Sequence, residues 1–286
     1  MTWYGAVELG GTKCLVAFGT SGRDLTTPVR VETTAPDSTL PALIEILREE
    51  SPQAVGVASF GPIELDERLK VFGTLRTTPK PGWSGENVYK RFVEGLGVPV
   101  SLTTDVNGAA LGEGRWGAAS GMANYAYVTV GTGIGAGIVS DRSLVGGDRH
   151  PEMGHVPVSR LEHDRHPGSC PFHGPCLEGM ASGPALESRF GPSSTWAGNE
   201  SVLDVATHYL AQGIVSLIYT VAPERIIVGG GVSKLPGFHD RLRGRVEVSM
   251  AGYPSTPDLD LLISPPGLGE MSGLAGVVAL AMDREV

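Results

Sequence analysis

Positive charge is scarce in this chain, and it never gathers. Lys and Arg number 22 against 31 Asp and Glu, a formal net charge of −9, and no basic run occurs anywhere. Nucleic acids and anionic membrane surfaces are bound through such runs, so both are poor partners for this chain. Long apolar runs are missing as well: none approaches membrane-spanning length, and the first residues enter a strand-like pattern with no basic start or apolar signal core. Cysteine is the third scarcity, at three residues. With two of them in a metal-binding pattern, the count fits the cytoplasm, and Cys14, in an apolar strand pattern, reads as a small core residue. Against these absences, a chain of 286 residues that is 41% hydrophobic and 19% charged can bury a proper core, in one large domain or two ordinary ones. Its 41 glycines imply many tight turns and close backbone approaches.

The apolar pattern predicts strands at 3–9, 14–18 and 30–34, a helix carrying Leu40, Leu43, Ile44 and Leu47 behind a cap at Asp37-Ser38, and a buried strand at 54–59. An irregular stretch follows over 63–85. Then come a helix at 87–96, a strand at 98–102 and a helix from Asp105 to about Glu113. The second half repeats the theme: strands at 124–130 and 136–140, a helix from 201 to about 219, a strand at 225–228, a helix at 237–250, a strand at 259–264 and a closing helix from 271 to about 282. Glu8-Leu-Gly10-Gly11-Thr12-Lys13 and Gly131-Thr132-Gly133-Ile-Gly135 each form the turn after a first strand, which implies two similar α/β halves.

Two of the three cysteines and five of the seven histidines crowd into residues 150–176. Cys170, His173 and Cys176 are spaced by two residues each, so one tight turn can aim all three at a single ion, and mixed sulfur and nitrogen donors suit Zn²⁺. His150, His155, His163 and His166 are all candidates for a fourth ligand. His155 is favoured, because Gly154 lets the backbone turn closely and Glu152 stands nearby. The alternatives are a solvated His-rich loop or a Cys170–Cys176 disulfide. A four-ligand site has no vacant position, so its role would be structural, holding Glu152 and Glu178 at its two ends.

Glycine lets backbone N–H groups approach an anion and threonine adds a hydroxyl donor, so the two Gly/Thr turns can cradle a polyphosphate together. Gly229-Gly230-Gly231, at a strand end, offers bare backbone to a base or ribose. Asp105 follows an apolar strand and opens a helix; it can serve as a general base for an alcohol, and the plainer alternative is an N-cap.

Taken together, Glu8-Leu-Gly-Gly-Thr-Lys13, Thr104-Asp-Val-Asn-Gly-Ala109, Gly131-Thr-Gly-Ile-Gly135, Glu152-Met-Gly-His155, Cys170-x-x-His-x-x-Cys-x-Glu178 and Gly229-Gly-Gly-Val232 resemble the ROK sugar kinases in kind and order, in forms similar to the bacterial fructokinase branch. The resemblance spans nearly the whole chain. It implies an α/β fold of two actin-like ATPase (ribonuclease H-like) domains with a cleft between them: an N-terminal domain, 1–115, joined by the C-terminal helix 271–283, and a C-terminal domain, 116–270, with an inserted zinc-binding segment, 150–180. It implies an ATP-dependent hexose kinase using Mg²⁺, with fructose as sugar, a homodimer as assembly, and closure of the halves around the sugar.

By the same resemblance Asp105 deprotonates the sugar hydroxyl, and Thr104, Asn107, Glu152, His155 and Glu178 contact the sugar or shape its pocket. Gly10, Gly11, Thr12, Lys13, Thr132 and Gly133 face the phosphates, Gly230 and Gly231 the adenosine, and His155, Cys170, His173 and Cys176 hold zinc. Two positions depart from the family pattern. Glu8 stands where Asp is usual in the first turn, still within reach of Mg²⁺ or its waters. Thr104 stands where glucokinase-type members carry Asn, a loss Asn107 could make good. A kinase for another hexose, a helix-turn-helix regulator and a non-catalytic sugar sensor are the rival readings. The chain starts at its first strand and is acidic overall, so no room is expected for the regulator's module.

Overall fold

Each half of the chain opens on a hairpin closed by a Gly/Thr turn. The computed structural model describes residues 2–146, 149–253 and 258–284. They fall into two units: Met1–Gly121 with Gly146–His150 and Glu270–Val286, and Met122–Val145 with Pro151–Gly269.

In the first unit β1 (Tyr4–Leu9) and β2 (Lys13–Gly19) pair antiparallel, β3 (Val29–Glu32) continues on β2, and β4 (Ala54–Ser59) and β5 (Val100–Thr104) add in parallel on the other side of β1, giving the order β3-β2-β1-β4-β5. Helix α1 (Pro36–Glu50) starts ahead of the Asp37-Ser38 cap that the sequence suggests. Pro36 sits at its first position, where a missing N–H has no partner to lose. Asn87 caps α2 (Val88–Leu96) by accepting from Lys90 N at 2.8 Å. Helix α3 (Asp105–Trp116) runs straight out of β5.

The second unit repeats this order in full. Strands β6 (Tyr125–Val130), β7 (Ile134–Ser140) and the two-residue β8 (Ser143–Leu144) are antiparallel, while β9 (Arg225–Gly229) and β10 (Ile263–Ser264) are parallel additions, in the order β10-β9-β6-β7-β8. Each unit is thus a mixed five-stranded sheet with helices, and each Gly/Thr turn closes the hairpin at the same point of the same topology.

Helices α4 (Leu177–Ala181) and α5 (Gly183–Phe190) follow the Cys/His segment, where the apolar pattern assigns no element. Then come α6 (Glu200–Val221) and α7 (Phe238–Met250). The strand expected at 259–264 is shorter. Asp258 accepts from the N–H groups of Asp260 and Leu261 and so caps a single turn, α8 (Leu259–Leu262), which leaves only Ile263–Ser264 for the sheet. Among the described residues α6 alone is long and apolar enough to cross a membrane; here Val202, Ala206, Tyr209, Leu210 and Ile214 bury its inner side in the core of the second unit.

The chain then returns to the first unit as α9 (Ser272–Asp283). Leu274, Val277, Val278 and Ala281 pack on the faces of β1 and β4 through Ala6, Ala54 and Ala58. Beside them α9 lies against α3 at backbone distance: a Cβ on Gly276 would stand 1.6 Å from the carbonyl oxygen of Gly108. Only glycine fits there.

Candidate functional site

The turn between β1 and β2 is tied down from behind by Thr33, just past β3. Its N–H donates to Thr12 O at 3.0 Å and its hydroxyl to Gly10 O at 2.6 Å, while Gly10 N donates to Lys13 O at 3.2 Å. With those carbonyls occupied, Gly11, Thr12 and Lys13 stand exposed at the tip.

Asp105 is half-buried in the first turn of α3. It is not the cap: Thr104 is, accepting from Asn107 N at 3.2 Å, and the Asp105 carboxylate accepts from Val106 N at 2.8 Å. The N-cap alternative for Asp105 is therefore replaced, and the Thr104 hydroxyl has a structural task on α3. Asn107 is buried, and its side-chain oxygen has no hydrogen-bond partner.

Glu8, on β1, lies against the start of α9; a Cβ on Gly273 would be 2.7 Å from its Oε2. Burial first, then the carboxylates of Asp105 and Glu270, push the Glu8 carboxyl up to about 7, against the pull of Lys13. Glu8, Asp105 and Lys13 therefore share one electrostatic neighbourhood. A carboxyl that holds its proton more tightly when folded lends stability that is full below its usual 4.5 and is lost as pH rises through about 7. Nucleotide-free protein should thus lose melting temperature between about pH 5 and about pH 8. Glu8→Gln should flatten that stretch; identical pH profiles would refute the placement.

In the second unit Gly131 N donates to Gly133 O at 2.9 Å, leaving Thr132 exposed at the tip. A Cβ on Gly131 would lie 3.9 Å from Gly231 N, so the second Gly/Thr turn and the Gly229-Gly230-Gly231 run are neighbours. Gly230 has φ +91°, and a Cβ on it would come within 2.5 Å of Val130 O. Gly230→Ala should cost about 1–3 kcal/mol from strain alone, read by urea denaturation; an unchanged midpoint would contradict this backbone.

His155, Cys170, His173 and Cys176 gather their ligand atoms within 4.8 Å of one another. Both histidines present Nδ1. His155 Nδ1 lies 3.6 Å from Cys170 Sγ, 3.7 Å from Cys176 Sγ and 3.3 Å from His173 Nδ1. A tetrahedron with Zn–S near 2.3 Å and Zn–N near 2.05 Å requires S···N of about 3.5 Å and N···N of about 3.3 Å, so these donors fit a zinc ion. Burial pushes the Cys176 thiol up, so a cation is needed to draw its proton off at neutral pH. Both cysteines are free thiols here.

The other histidines are elsewhere. His163 is exposed beside Glu162, and His150 lies near Gly61 in the first unit. The ring of His166 accepts from Gly168 N at 3.0 Å and meets Ser188 Oγ at 2.7 Å.

Glu178 follows Cys176 by two residues, and its Oε2 accepts from Ile134 N at 3.0 Å, at the exit of the second turn. Gly183 N, at the start of α5, donates to Gly131 O at 2.7 Å, at the entrance. The Cys/His segment therefore grips the second Gly/Thr turn at both ends. Glu152 is exposed, with its carbonyl accepting from His155 N at 3.0 Å.

A sequence model of the ROK family matches residues 4–284. The chain belongs to the ROK family. Among curated relatives, the fructokinase of Zymomonas mobilis is 39% identical, over 99% of this chain and 97% of its own, and the fructokinase of Pediococcus pentosaceus is 37% identical, over 97% and 96%. A crystal structure of a ROK hexokinase from Thermus thermophilus superposes with a TM-score of 0.78 at 26% identity, covering 99% of both chains. The ROK sugar-kinase fold, actin-like and ribonuclease H-like, accounts for the two matching sheets, and the chain is of the ATP-dependent hexose kinase type.

Sequence reasoning missed the residues that hold this ROK site in place. Thr33 carries no motif. Asp164 accepts from both Arg189 NH1 and Tyr209 OH and from His166 N, so despite burial its carboxyl is held well below the usual range. This network braces the loop leading to Cys170. Its Asp sits within the His-rich loop, but its partners lie 25 and 45 residues on, with no sequence signal.

Proposed function

We propose that this chain transfers the γ-phosphoryl group of ATP to the 6-hydroxyl of D-fructose, giving fructose 6-phosphate and ADP. The observation that carries the chemistry is that Asp105 and Lys13, in one unit, both act electrostatically on Glu8, on the strand that leads into the first Gly/Thr turn. Identities of 39% and 37% to fructokinases over nearly the full length favour fructose over other hexoses.

The turn N–H groups, the hydroxyls of Thr12 and Thr132 and the Lys13 ammonium bind the phosphates, while Gly230 and Gly231 let the adenosine lie against backbone. The sugar oxygen attacks the γ-phosphorus in line with the bridging oxygen. As the new O–P bond forms and the bond to the β,γ-bridging oxygen breaks, Asp105 takes the hydroxyl proton and ADP leaves.

Mg²⁺, when bound with ATP, would supply charge neutralisation at the phosphates, and Glu8 is the carboxylate that would hold it or its waters. Glu152, His155 and Glu178 orient the sugar, with Asn107 supplying an amide at the Asp105 end. His155 can serve twice, because its Nδ1 faces the cysteines and its Nε2 makes no hydrogen bond among the described residues. Zn²⁺ is the ion we assign to His155, Cys170, His173 and Cys176, in a structural role.

The test is ADP release from MgATP with fructose, glucose or mannose. Highest kcat/KM on fructose is the expected result. Equal or better turnover on glucose or mannose would replace the sugar, and no turnover on any of them would leave the fold standing and move the reading to a sensor or an unknown acceptor.

A further inference from the structure

Lys80 lies in the loop between β4 and α2, and no motif singles it out. Its Nζ donates to the carbonyl of Thr33 at 2.9 Å, and Thr33 is the residue whose N–H and hydroxyl tie down the backbone of Thr12 and Gly10. The ammonium therefore stands one residue behind the first phosphate turn. Trp83, fully buried, donates Nε1 to Thr34 O at 2.8 Å. The loop is thus strapped to two consecutive carbonyls, and hydrogen bonds, with no ion pair to Lys80 among the described residues, set its position.

Lys80 is half-buried, and among the described residues no carboxylate pairs with it, although the chain has an acidic excess of nine. A strap needs no charge, as Trp83 demonstrates. A partly desolvated ammonium without a counter-ion is stabilised when an anion arrives. One of its three N–H donors is spent on Thr33, which leaves two for phosphate oxygens.

We propose that Lys80 is a second cationic ligand of the nucleotide, acting alongside Lys13 on the γ-phosphoryl oxygens. This rests on the kinase reading above. The γ position is the one the test addresses: Lys80 backs the turn that carries Lys13, it shares a unit with Asp105, and the phosphate that meets the base is the one transferred. Lys80 makes no bond to phosphorus; it holds oxygens whose charge the transfer redistributes.

The test compares wild type, Lys80→Met, Lys80→Arg and Trp83→Phe by calorimetric binding of the magnesium complexes of ADP and of the β,γ-imido analogue of ATP, with kcat, KM and Tm. Losing one charge-assisted contact should weaken the imido analogue about tenfold in Lys80→Met while ADP stays within about twofold. Lys80→Arg should restore most of that loss, and kcat should fall with little change in KM for fructose. Trp83→Phe should lower Tm and leave the ratio of the two affinities unchanged.

Equal weakening of both nucleotides in Lys80→Met, or a Tm loss with an unchanged ratio as in Trp83→Phe, would make Lys80 a strap only. Wild type that binds neither nucleotide would overturn the kinase reading and this one with it. Wild type that turns over sugar while Lys80→Met keeps the ratio would overturn this one alone. Should Lys80→Met not fold, amine acylation of the wild type read by mass spectrometry decides: protection of Lys80 by the imido analogue but not by ADP supports the contact, and equal labelling refutes it.

Discussion

Asp105→Asn should lower kcat by about 10³-fold, within the range for losing a positioned general base, while fructose affinity by calorimetry changes little. Asparagine keeps the shape and can still accept from Val106 N as Asp105 does, and the helix keeps its true cap at Thr104. Folding is therefore spared, and the loss falls on proton removal. A drop in kcat with binding intact marks an interaction made in the transition state. Turnover within tenfold of wild type would remove Asp105 from the base role, and equal loss of sugar binding would turn it into a positioning group.

The second large effect is metal removal. Stripping zinc with a chelator, or making Cys176→Ala, should lower Tm by about 10 °C or more, because several kcal/mol of ligand-linked stability disappear from a chain of this size. The Cys/His segment holds both ends of the second Gly/Thr turn, through Glu178 on Ile134 N and Gly183 on Gly131 O. ADP affinity should therefore fall along with fructose affinity, although no metal ligand is expected to touch nucleotide. Metal content near zero by atomic emission, with unchanged Tm and binding, would make the cluster an incidental grouping.

Most strands and the long helices were legible because apolar periodicity and the glycine turns are local signals. The spacing of Cys170, His173 and Cys176 was equally local. What failed to show was decided by tertiary contacts or by single caps. The side chain of Asp258 converts an apolar strand-like stretch into a helical turn, and Ser182-Gly183-Pro184 hides a helix start in loop composition. Around the site, glycine and threonine announced the turns, yet Thr33, which ties down the first turn, and the Asp164–Arg189–Tyr209 network, which braces the loop before Cys170, join residues too far apart for any pattern to link. Lys80 is the sharpest case: its charge was in plain sight, and its meaning depends on one hydrogen bond to a residue 47 positions earlier.

Helix α9 carries a consequence for how the protein is made. It fills the face of β1 and β4 and presses against α3 at the Gly108–Gly276 crossing, so the unit whose strands leave the ribosome first lacks part of its core until nearly the whole chain has been translated. The second unit, continuous from Pro151 to Gly269 apart from its opening hairpin, has all its residues in hand earlier. At about 5–20 residues per second the nascent first unit waits on the order of ten seconds with that apolar face uncovered. The half that carries Asp105 begins first, yet its core closes only after the residues of the second unit have been made.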